Sequence, residues 1–425
     1  MDDKSLFTKI LGLRLPWFIK HVAVNDQTQQ VDIYVDHESG IRVRCPVCDQ
    51  FYGLYDHAPE RVYRHLDTCQ MRTFIHVRLP RVNCPTHGIK QVGPEFGENG
   101  SELSFGFESF VIRVAQECSI EATARLCRLG WDQCWNTLER AVDRGRARKQ
   151  HRVPRRMGVD EKSIARGHKY ETLVYDIGAG TVEFVADERT QEALESYYRQ
   201  FTPEELAGIE AVAMDMWDPF IAATRKHVPD AANKIVFDRF HVMRHVLEAV
   251  DQVRKSEHRQ LSDSGESPLK GTKYLWLWSP ENMPAWRQEE FAQLRARDLK
   301  VCRAWAIKEN LRHLWDYHYQ AHMRSFFKRW YFWATHSRLK PIQKAANNIE
   351  NILTYAKHRI TNALGEAINA KIEKVKRMAC GFRNRAHYRT AIYFHCGGLS
   401  LFPTPPALPS LCFKSLASQH VGGTH

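Results

Sequence analysis

The sequence lacks any long hydrophobic stretch. No apolar run approaches the roughly 20 residues that a membrane-spanning helix needs. The opening residues, MDDKSLFTKILGL, start acidic and do not have the layout of a signal peptide. We therefore expect a cytoplasmic protein with no membrane partner.

A disulfide framework of the kind found in small secreted proteins is also missing. The 425 residues contain 11 cysteines, an odd number for a large chain without a signal sequence. This pattern indicates a reducing compartment, where thiols stay free or bind metal.

An acidic excess is absent as well. Lys and Arg number 61 against 49 Asp and Glu, which gives a net charge of +12. The basic residues cluster, so a polyanionic partner such as nucleic acid is favoured over a merely soluble basic protein. Apolar residues make up 43% of the chain and exclude global disorder, and the length exceeds one ordinary domain.

Two short motifs in residues 1–100 carry metal-ligand spacing. Cys45-Pro-Val-Cys48 and Cys84-Pro-Thr-His87 each place two residues between their ligands. Four such ligands suffice for a tetrahedral zinc site, which would staple a β module too small to bury a core alone. Free thiols are the alternative, and four nearby side chains could substitute as ligands: Cys69, His57, His65 and His76.

Residues 101–150 have the pattern of a helix-turn-helix. A short helix capped by Ser119 is followed by a turn at Gly130 and a longer helix over Trp131–Val142. A simple helical hairpin has the same pattern, and the basic residues after it also suit a solvated linker. We expect DNA contacts from a polar face and a basic run, namely Gln133, Asn136, Arg140, Arg144, Arg146, Arg148 and Lys149.

Residues 151–261 read as an α/β core with acids at strand ends. Met157–Val159 is a strand ending on Asp160, and Ile209–Met214 is a buried-type strand ending on Asp215. A carboxylate at a strand tip can hold a metal ion, which removes the cost of burying an unpaired charge.

Residues 262–345 lose the β signal and read as a Trp-rich helical insertion. Its basic and aromatic residues fit DNA contact, but at helical spacing aromatics are more often core. A long helix over Ile349–Ala379 follows, within the segment 346–400. The residues after 400 are rich in Pro, Ser and Gly and predict a mobile tail, 401–425.

The long helix carries the third acid, Glu366. Asn362, Glu366 and Asn369 have i, i+4 and i+7 spacing and share one polar face. A glutamate on such a face is usually only solvated, and Glu350 and Glu373 are rivals. Three carboxylates can hold two divalent cations for phosphoryl transfer, and oxygen ligands suit Mg²⁺ or Mn²⁺.

Taken together, the motifs resemble those of bacterial insertion-sequence transposases of the Asp-Asp-Glu class, ISL-three-type family. The matching motifs are Cys45-Pro-x-Cys48, Arg64-His-Leu-Asp-Thr-Cys69, Pro80-Arg-Val-x-Cys84-Pro, Gly158-Val-Asp160-Glu-Lys-Ser, Met214-Asp-Met-Trp-Asp-Pro219, Phe237-Asp-Arg-Phe-His-Val242, Thr361-Asn-x-x-x-Glu366 and Gly381-Phe-Arg-Asn384.

The resemblance implies a multidomain α+β fold: a zinc-binding β module, a helix-turn-helix, and an RNase H-like catalytic domain with a helical insertion. It implies that Asp160, Asp215 and Glu366 are the catalytic metal ligands. Asp238 and His241 match a recurring element of related transposases and are expected to support the site. The family's zinc knuckle usually has four Cys, so His87 is a departure.

The expected function is that of a transposase. It would bind the terminal inverted repeats of its element as double-stranded DNA, cleave there with Mg²⁺ or Mn²⁺, and join the freed ends to target DNA. We expect a homo-oligomer on DNA, associated with a bacterial nucleoid. The alternatives are a DNA-binding regulator derived from an inactive transposase and a structure-selective nuclease on the same fold.

Overall fold

The computed structural model describes residues 2–165, 169–237, 239–349, 363–405 and 410–413. The chain divides into two compact units. The first comprises residues 1–149, 375–395 and 399–425, and the second comprises 150–374 and 396–398. Within the described residues, no helix combines the length and the apolarity that a bilayer crossing demands.

The first unit contains two β-sheets. Helix α1 (Asp3–Ile10) precedes eight strands: β1 (Trp17–Asn25), β2 (Gln30–His37), β3 (Ile41–Arg44), β4 (Phe51–His57), β5 (Arg61–Thr68), β6 (Met71–Val77), β7 (Pro80–Cys84) and β8 (Gly88–Gln91). One sheet has the order β1-β2-β6-β5. The other has the order β3-β4-β7-β8, extended at the β3 edge by β14 (Leu411–Phe413).

The two sheets bury one hydrophobic core between them. β2 alternates buried Val31, Ile33 and Val35 with half-buried residues, as a strand with one covered face should. Val43 and Val82, from the other sheet, belong to the same buried cluster. The prediction of a module without its own core is therefore wrong, because the knuckle-bearing sheet shares its core with a second sheet.

Three helices follow in the first unit: α2 (Phe105–Glu117), α3 (Ile120–Cys127) and α4 (Trp131–Arg148). The Ser119 hydroxyl accepts a hydrogen bond from the Ala122 N–H and caps α3, as predicted. Arg128 adopts a left-handed conformation in the turn. The order of short helix, turn and longer helix matches the sequence pattern, although α4 extends six residues beyond the predicted end at Val142.

The second unit is built on a five-stranded mixed sheet with three antiparallel strands and two parallel ones. Its strands are β9 (Arg156–Ala165), β10 (Lys169–Asp176), β11 (Thr181–Asp187), β12 (Ala211–Met214) and β13 (Ile235–Phe237). The order is β11-β10-β9-β12-β13, and β12 runs parallel to both β9 and β13. Three helices lie between the later strands: α5 (Gln191–Tyr198), α6 (Pro203–Ala207) and α7 (Asp218–His227).

Side chains along β9 and β12 point alternately to the two faces of the sheet, and only one face packs against the main hydrophobic core. Met157 and Val159 on β9 join the main hydrophobic cluster, together with Val212 and Met214 on β12. Ala211 and Ala213, the residues of β12 on the other face, are small and belong to a separate buried cluster. By the two-residue period of a strand, Asp160 and Asp215 therefore lie on the face opposite the main core.

Gly158 lies on this second face and allows a close approach of the neighbouring strand. It is the register partner of Tyr175 on β10. A Cβ added to Gly158 would meet the Tyr175 ring at 2.1 Å, so a larger residue does not fit there.

Helices make up the 262–345 segment, and no strand occurs in it. From the end of β13 to residue 349 the helices are α8 (Arg239–Asp263), α9 (Lys273–Leu277), α10 (Ala285–Arg295), α11 (Lys300–Arg312), α12 (Gln320–Thr335) and α13 (Lys340–Asn348). Trp276 and Trp330 are fully buried, whereas Phe332 is 63% exposed. Most of the aromatic stripe is thus core, and this core is continuous with that of the sheet.

The end of the chain differs from the prediction in three respects. Ile349 ends α13 instead of starting a long helix, and the described part of the Glu-bearing helix is α14 (Ala363–Met378). Helix α15 (Arg385–Cys396) groups, up to residue 395, with the first unit and not with the sheet of the second. Residues 411–413, predicted as part of a mobile tail, form β14 and pair with β3.

Candidate functional site

The four predicted zinc ligands converge at two turns of one sheet. Cys45 and Cys48 lie in the turn between β3 and β4, and Cys84 and His87 lie in the turn between β7 and β8. Gly88 begins β8 with a φ of +67°, a left-handed conformation that suits glycine and lets the strand return directly after His87.

The spacing of these side chains fits a tetrahedral zinc ion. Cys48 Sγ lies 3.7 Å from Cys84 Sγ, and His87 Nδ1 lies 3.4 Å from Cys84 Sγ and 3.9 Å from Cys45 Sγ. Neighbouring ligands around tetrahedral zinc are roughly 3.4 to 3.8 Å apart. Of the side chains that the structure describes, only these four form a group of three or more Cys, His, Asp or Glu ligands with every ligand atom within 4.8 Å of the others.

The environment of Cys84 favours the thiolate that zinc binds. Burial alone would raise its pKa, but the backbone N–H groups of His87 and Thr86, with the His87 side chain, lower the pKa of Cys84 to about 6. A thiol with this pKa is largely ionised at neutral pH. The donor set and its electrostatics therefore both suit a zinc ion.

None of the four alternative ligands belongs to the Cys/His cluster. Cys69 is exposed. His57 stacks on His37, with 2.7 Å between their Nε2 atoms. His65 is buried against the Ser104 hydroxyl at 2.7 Å, and His76 lies 2.8 Å from an Asp32 carboxylate oxygen.

The acidic site begins where the parallel pairing of β9 and β12 ends. Val159 and Met214 are register partners, so Asp160 and Asp215 follow at adjacent positions. The prediction that this strand ends at Asp160 is wrong, because β9 continues to Ala165 along β10.

Asp160 is held in a partly buried position by two donors. Its Oδ1 accepts a hydrogen bond from the Glu161 backbone N–H at 2.7 Å, and its Oδ2 accepts one from the Asn369 amide at 2.6 Å. Burial raises the pKa of Asp160 to about 6, with a further contribution from the negative charge of Asp215. Added positive charge, such as a bound cation, would stabilise the carboxylate form further.

His241, in the first turns of α8, contacts the second acid. Its Nδ1 lies 2.9 Å from Asp215 Oδ1. The structure thus places His241 beside the acid pair, as the motif indicated. Asp238, the other predicted supporting residue, lies outside the described residues.

Helix α14 is fastened to β9 beside the acid pair. Lys162, two residues after Asp160 and therefore on the same face of β9, donates to the Asn369 backbone carbonyl at 3.4 Å. The same ammonium group forms an ion pair with Glu373 at 3.1 Å. Glu373 is therefore a fastening residue, which separates it from Glu366.

Glu366 lies in the first turn of α14 and is exposed. It precedes Asn369 by three residues, so it lies about one helical turn from the side chain that contacts Asp160. Asp160, Asp215 and Glu366 are not all within 4.8 Å of one another. The structure thus brings the two aspartates together and leaves Glu366 one turn along the adjacent helix.

An arginine near the acid pair was not singled out from the sequence. Arg189 forms an ion pair with Glu161 at 2.5 Å, and its guanidinium lies 3.8 Å from the centre of the Trp217 ring. Its spacing from the acids along the chain gave no signal. Lys162 could have been found, because it follows Asp160 at the two-residue period of a strand.

Several of the predicted DNA-contacting arginines are engaged within the first unit. The side chain of Arg144 is largely covered and forms ion pairs with Glu98, at 2.6 Å, and with Glu108. Arg140 also pairs with Glu108, at 3.3 Å, and Arg148 donates to the Phe402 carbonyl at 2.7 Å.

The remaining predicted DNA contacts are distributed as follows. Gln133 is exposed but accepts from the Gly130 N–H at 3.0 Å, and Arg146 lies over the Tyr393 ring at 4.8 Å. Asn136 is exposed, and Lys149 is half-buried directly after α4. Asn136 and Arg146 are thus exposed, whereas the Arg144 side chain is only 8% exposed.

Comparisons with known proteins match both regions of the chain that contain these sites. A family model described as transposase, of the Asp-Asp-Glu ISL3 type, matches residues 157–392. A second, described as the zinc-finger of transposase IS204/IS1001/IS1096/IS1165, matches residues 41–87 and includes Cys45, Cys48, Cys84 and His87.

Two curated relatives match over most of their length. The transposase for insertion sequence element IS1557 from Mycobacterium tuberculosis (strain CDC 1551 / Oshkosh) is 26% identical over 423 residues, covering 90% of this chain and 93% of the relative. The transposase for insertion sequence element IS1001 from Bordetella parapertussis is 25% identical over 382 residues, covering 85% and 91%. This chain belongs to the ISL3-type family of Asp-Asp-Glu transposases.

Proposed function

We propose that this transposase binds the terminal inverted repeats of its own insertion sequence and performs metal-dependent DNA cleavage and strand transfer there. The observation that carries the proposal is the pair Asp160 and Asp215, side by side and partly buried at the end of the β9–β12 pairing. Two carboxylates in this position repel each other, and a divalent cation would stabilise both.

Asp160, Asp215 and Glu366 would hold the cations, Mg²⁺ or Mn²⁺, in an RNase H-like domain. The mixed sheet of the second unit supports this fold. When bound, two divalent cations activate the attacking oxygen and stabilise the leaving oxygen of an in-line phosphoryl displacement.

The protein's own groups position this chemistry. The Glu161 N–H and the Asn369 amide fix both oxygens of Asp160, and His241 holds Asp215. Lys162 fastens α14 to β9, which keeps Glu366 on the helix that contacts Asp160. Asp238 would act as a further support.

The first unit would bind the element ends as double-stranded DNA. The zinc ribbon and the α3–α4 pair, as a helix-turn-helix, are the proposed DNA-binding parts. Exposed Asn136 and Gln133 would face bases, and Arg146 and Lys149 would contact phosphates. Since two ends and a target must be joined, we propose a homo-oligomer on DNA.

The test measures cleavage and binding separately on a labelled duplex carrying the inverted repeat that flanks the gene. Asp160→Asn and Glu366→Gln should abolish Mg²⁺-dependent cleavage, with a loss of about 10³-fold or more, and leave gel-shift affinity unchanged. Glu248→Gln is the control in the same unit, and it should retain cleavage within about tenfold because exposed Glu248 forms a surface ion pair with Arg244 at 3.2 Å.

Undiminished cleavage by both Asp160→Asn and Glu366→Gln would show that the acids are wrongly assigned. A wild-type protein that binds the repeats but never nicks them would instead be a regulator derived from a transposase. Cleavage of branched DNA without regard to the repeats would indicate a structure-selective nuclease.

A further inference from the structure

One side-chain atom of Asn369 lacks a hydrogen-bond partner among the described residues. Its Nδ2 donates to Asp160 Oδ2 at 2.6 Å. Its Oδ1 is buried and has no hydrogen-bond partner among the described residues. A buried acceptor without a partner costs roughly 1–3 kcal/mol, so this oxygen needs a positive or donor group that the described protein atoms do not supply.

The orientation of the amide is fixed by its neighbour. An ionised Asp160 carboxylate only accepts hydrogen bonds, so the Nδ2 end of Asn369 must face it and the Oδ1 end must face away. The two ends belong to one carboxamide group, and the buried oxygen therefore remains close to Asp160. Adjacent oxygens around Mg²⁺ are about 3 Å apart, so a cation bound to Asp160 would also be close to this oxygen.

The surroundings match an oxygen-ligand site better than a second hydrogen bond. Asp160 and Asp215 are on the same face of the sheet, and β12 contributes only small residues, Ala211 and Ala213, to that face. The ammonium group of Lys162 contacts the same residue, but it donates to the Asn369 backbone carbonyl and pairs with Glu373. It forms no hydrogen bond with the Asn369 side-chain oxygen.

We propose that Asn369 is a fourth ligand of the divalent cation at the acidic site, through its side-chain Oδ1, and that its Nδ2 holds Asp160 in ligand position. This inference rests on the proposed function and deepens it. Amide oxygens are ordinary ligands of hard divalent cations. A neutral ligand also adds coordination without adding a third negative charge beside the two aspartates.

The test measures Mn²⁺ binding to the full-length, zinc-loaded protein by the electron paramagnetic resonance signal of free Mn²⁺. Zinc occupies the Cys/His cluster, so added Mn²⁺ reports on the acidic site. Asn369→Ala should weaken Mn²⁺ binding by about tenfold or more. Asn369→Asp keeps a ligand oxygen and should stay within about threefold of the wild type.

Asn347→Ala is the matched control, because Asn347 belongs to the same unit and its amide accepts a hydrogen bond from Tyr331 at 2.9 Å. It should leave Mn²⁺ affinity unchanged. Thermal unfolding without Mn²⁺ is recorded for each variant, since a purely structural role for Asn369 would lower the unfolding temperature and leave the affinity unaltered. That result would overturn the inference.

Asp160→Asn separates this inference from the function on which it rests. If Asp160→Asn weakens Mn²⁺ binding and Asn369→Ala does not, Asn369 is not a ligand but the acidic site stands. If neither substitution affects Mn²⁺ binding, the acidic site itself is wrongly assigned.

Discussion

The Cys/His cluster brings all four of its predicted ligands together, whereas the acidic site does not bring all three of its predicted ligands together. The cluster brings four ligand atoms within 4.8 Å of one another from two turns of one sheet. The acidic site brings together Asp160 and Asp215, raises the pKa of Asp160 to about 6, and leaves Glu366 on a neighbouring helix.

This difference fits the two kinds of metal site that we propose for this protein. A structural zinc ion needs a closed set of four protein ligands, whereas a reactive cation needs open positions for substrate. In the first unit, buried Glu108 pairs with Arg144 and Arg140. In the second unit, the carboxylates of Asp160 and Asp215 lie side by side, and the charge of Asp215 helps to raise the pKa of Asp160.

The largest expected effect is the loss of the closed site. Cys84→Ser should remove zinc and unfold the knuckle-bearing sheet, because structural zinc contributes on the order of 10 kcal/mol. Zinc content by mass spectrometry and the circular dichroism melting curve would measure this. Cys69→Ser is the control, since Cys69 is an exposed cysteine outside the cluster and its replacement should change neither quantity. Full zinc content in Cys84→Ser would contradict the ligand set.

A smaller but still large effect is expected from the internal ion pairs of the first unit. Arg144→Ala removes one of the two arginines that pair with buried Glu108. It should lower the free energy of unfolding by about 3–5 kcal/mol. Arg146→Ala, on the same helix, removes only an exposed guanidinium over Tyr393 and should cost about 0.5–1 kcal/mol. Urea denaturation measures both.

The same pair of variants tests the division of labour along α4. Arg146→Ala should weaken DNA binding through a lost phosphate contact, with a reduced salt dependence of affinity. Equal stability losses in the two variants would show that Arg144 is not an internal residue in solution.

The third effect concerns the raised pKa of Asp160 in the acidic site. The pKa of Asp160 is raised from 3.8 to about 6 in the folded protein, so the folded state holds a proton that the unfolded state has lost between these values. Stability without divalent cation should therefore fall as pH rises from about 4 to 6, by at most about 3 kcal/mol.

Asp160→Asn should lack this component, because asparagine does not titrate. The free energy of unfolding of both proteins is measured in urea at several pH values, and the difference isolates Asp160 from the zinc ligands that both proteins share. Mg²⁺ should oppose the fall at the upper end of the range. A pH-independent difference between the two proteins would show that Asp160 is not destabilised in the folded protein.

Local elements followed from local sequence signals. Ser119 capped α3 as predicted, and the strand that ends at Met214 was recognised from its continuous apolar run. The knuckle spacing named all four residues of the Cys/His cluster, because the ligands of each pair are near neighbours along the chain.

Other features depended on distant partners and were missed or misplaced. Arg144 has the composition of a phosphate contact, yet Glu98 and Glu108 draw it inside. The residues after 400 have the composition of a mobile tail, yet Leu411–Phe413 pairs with β3. Composition describes what a segment can do alone, whereas burial depends on what else reaches it.

The sequence by itself determined the two ligand chemistries of this protein, thiolate and imidazole in one place and carboxylate in the other, because side-chain type and short-range spacing fix the metal that each prefers. Only the tertiary structure decided that Asp160 and Asp215 are adjacent, that Asn369 contacts Asp160, and that Lys162 fastens the Glu366 helix. These contacts join residues more than 50 positions apart, and strand register and helix packing, which no local pattern encodes, set them.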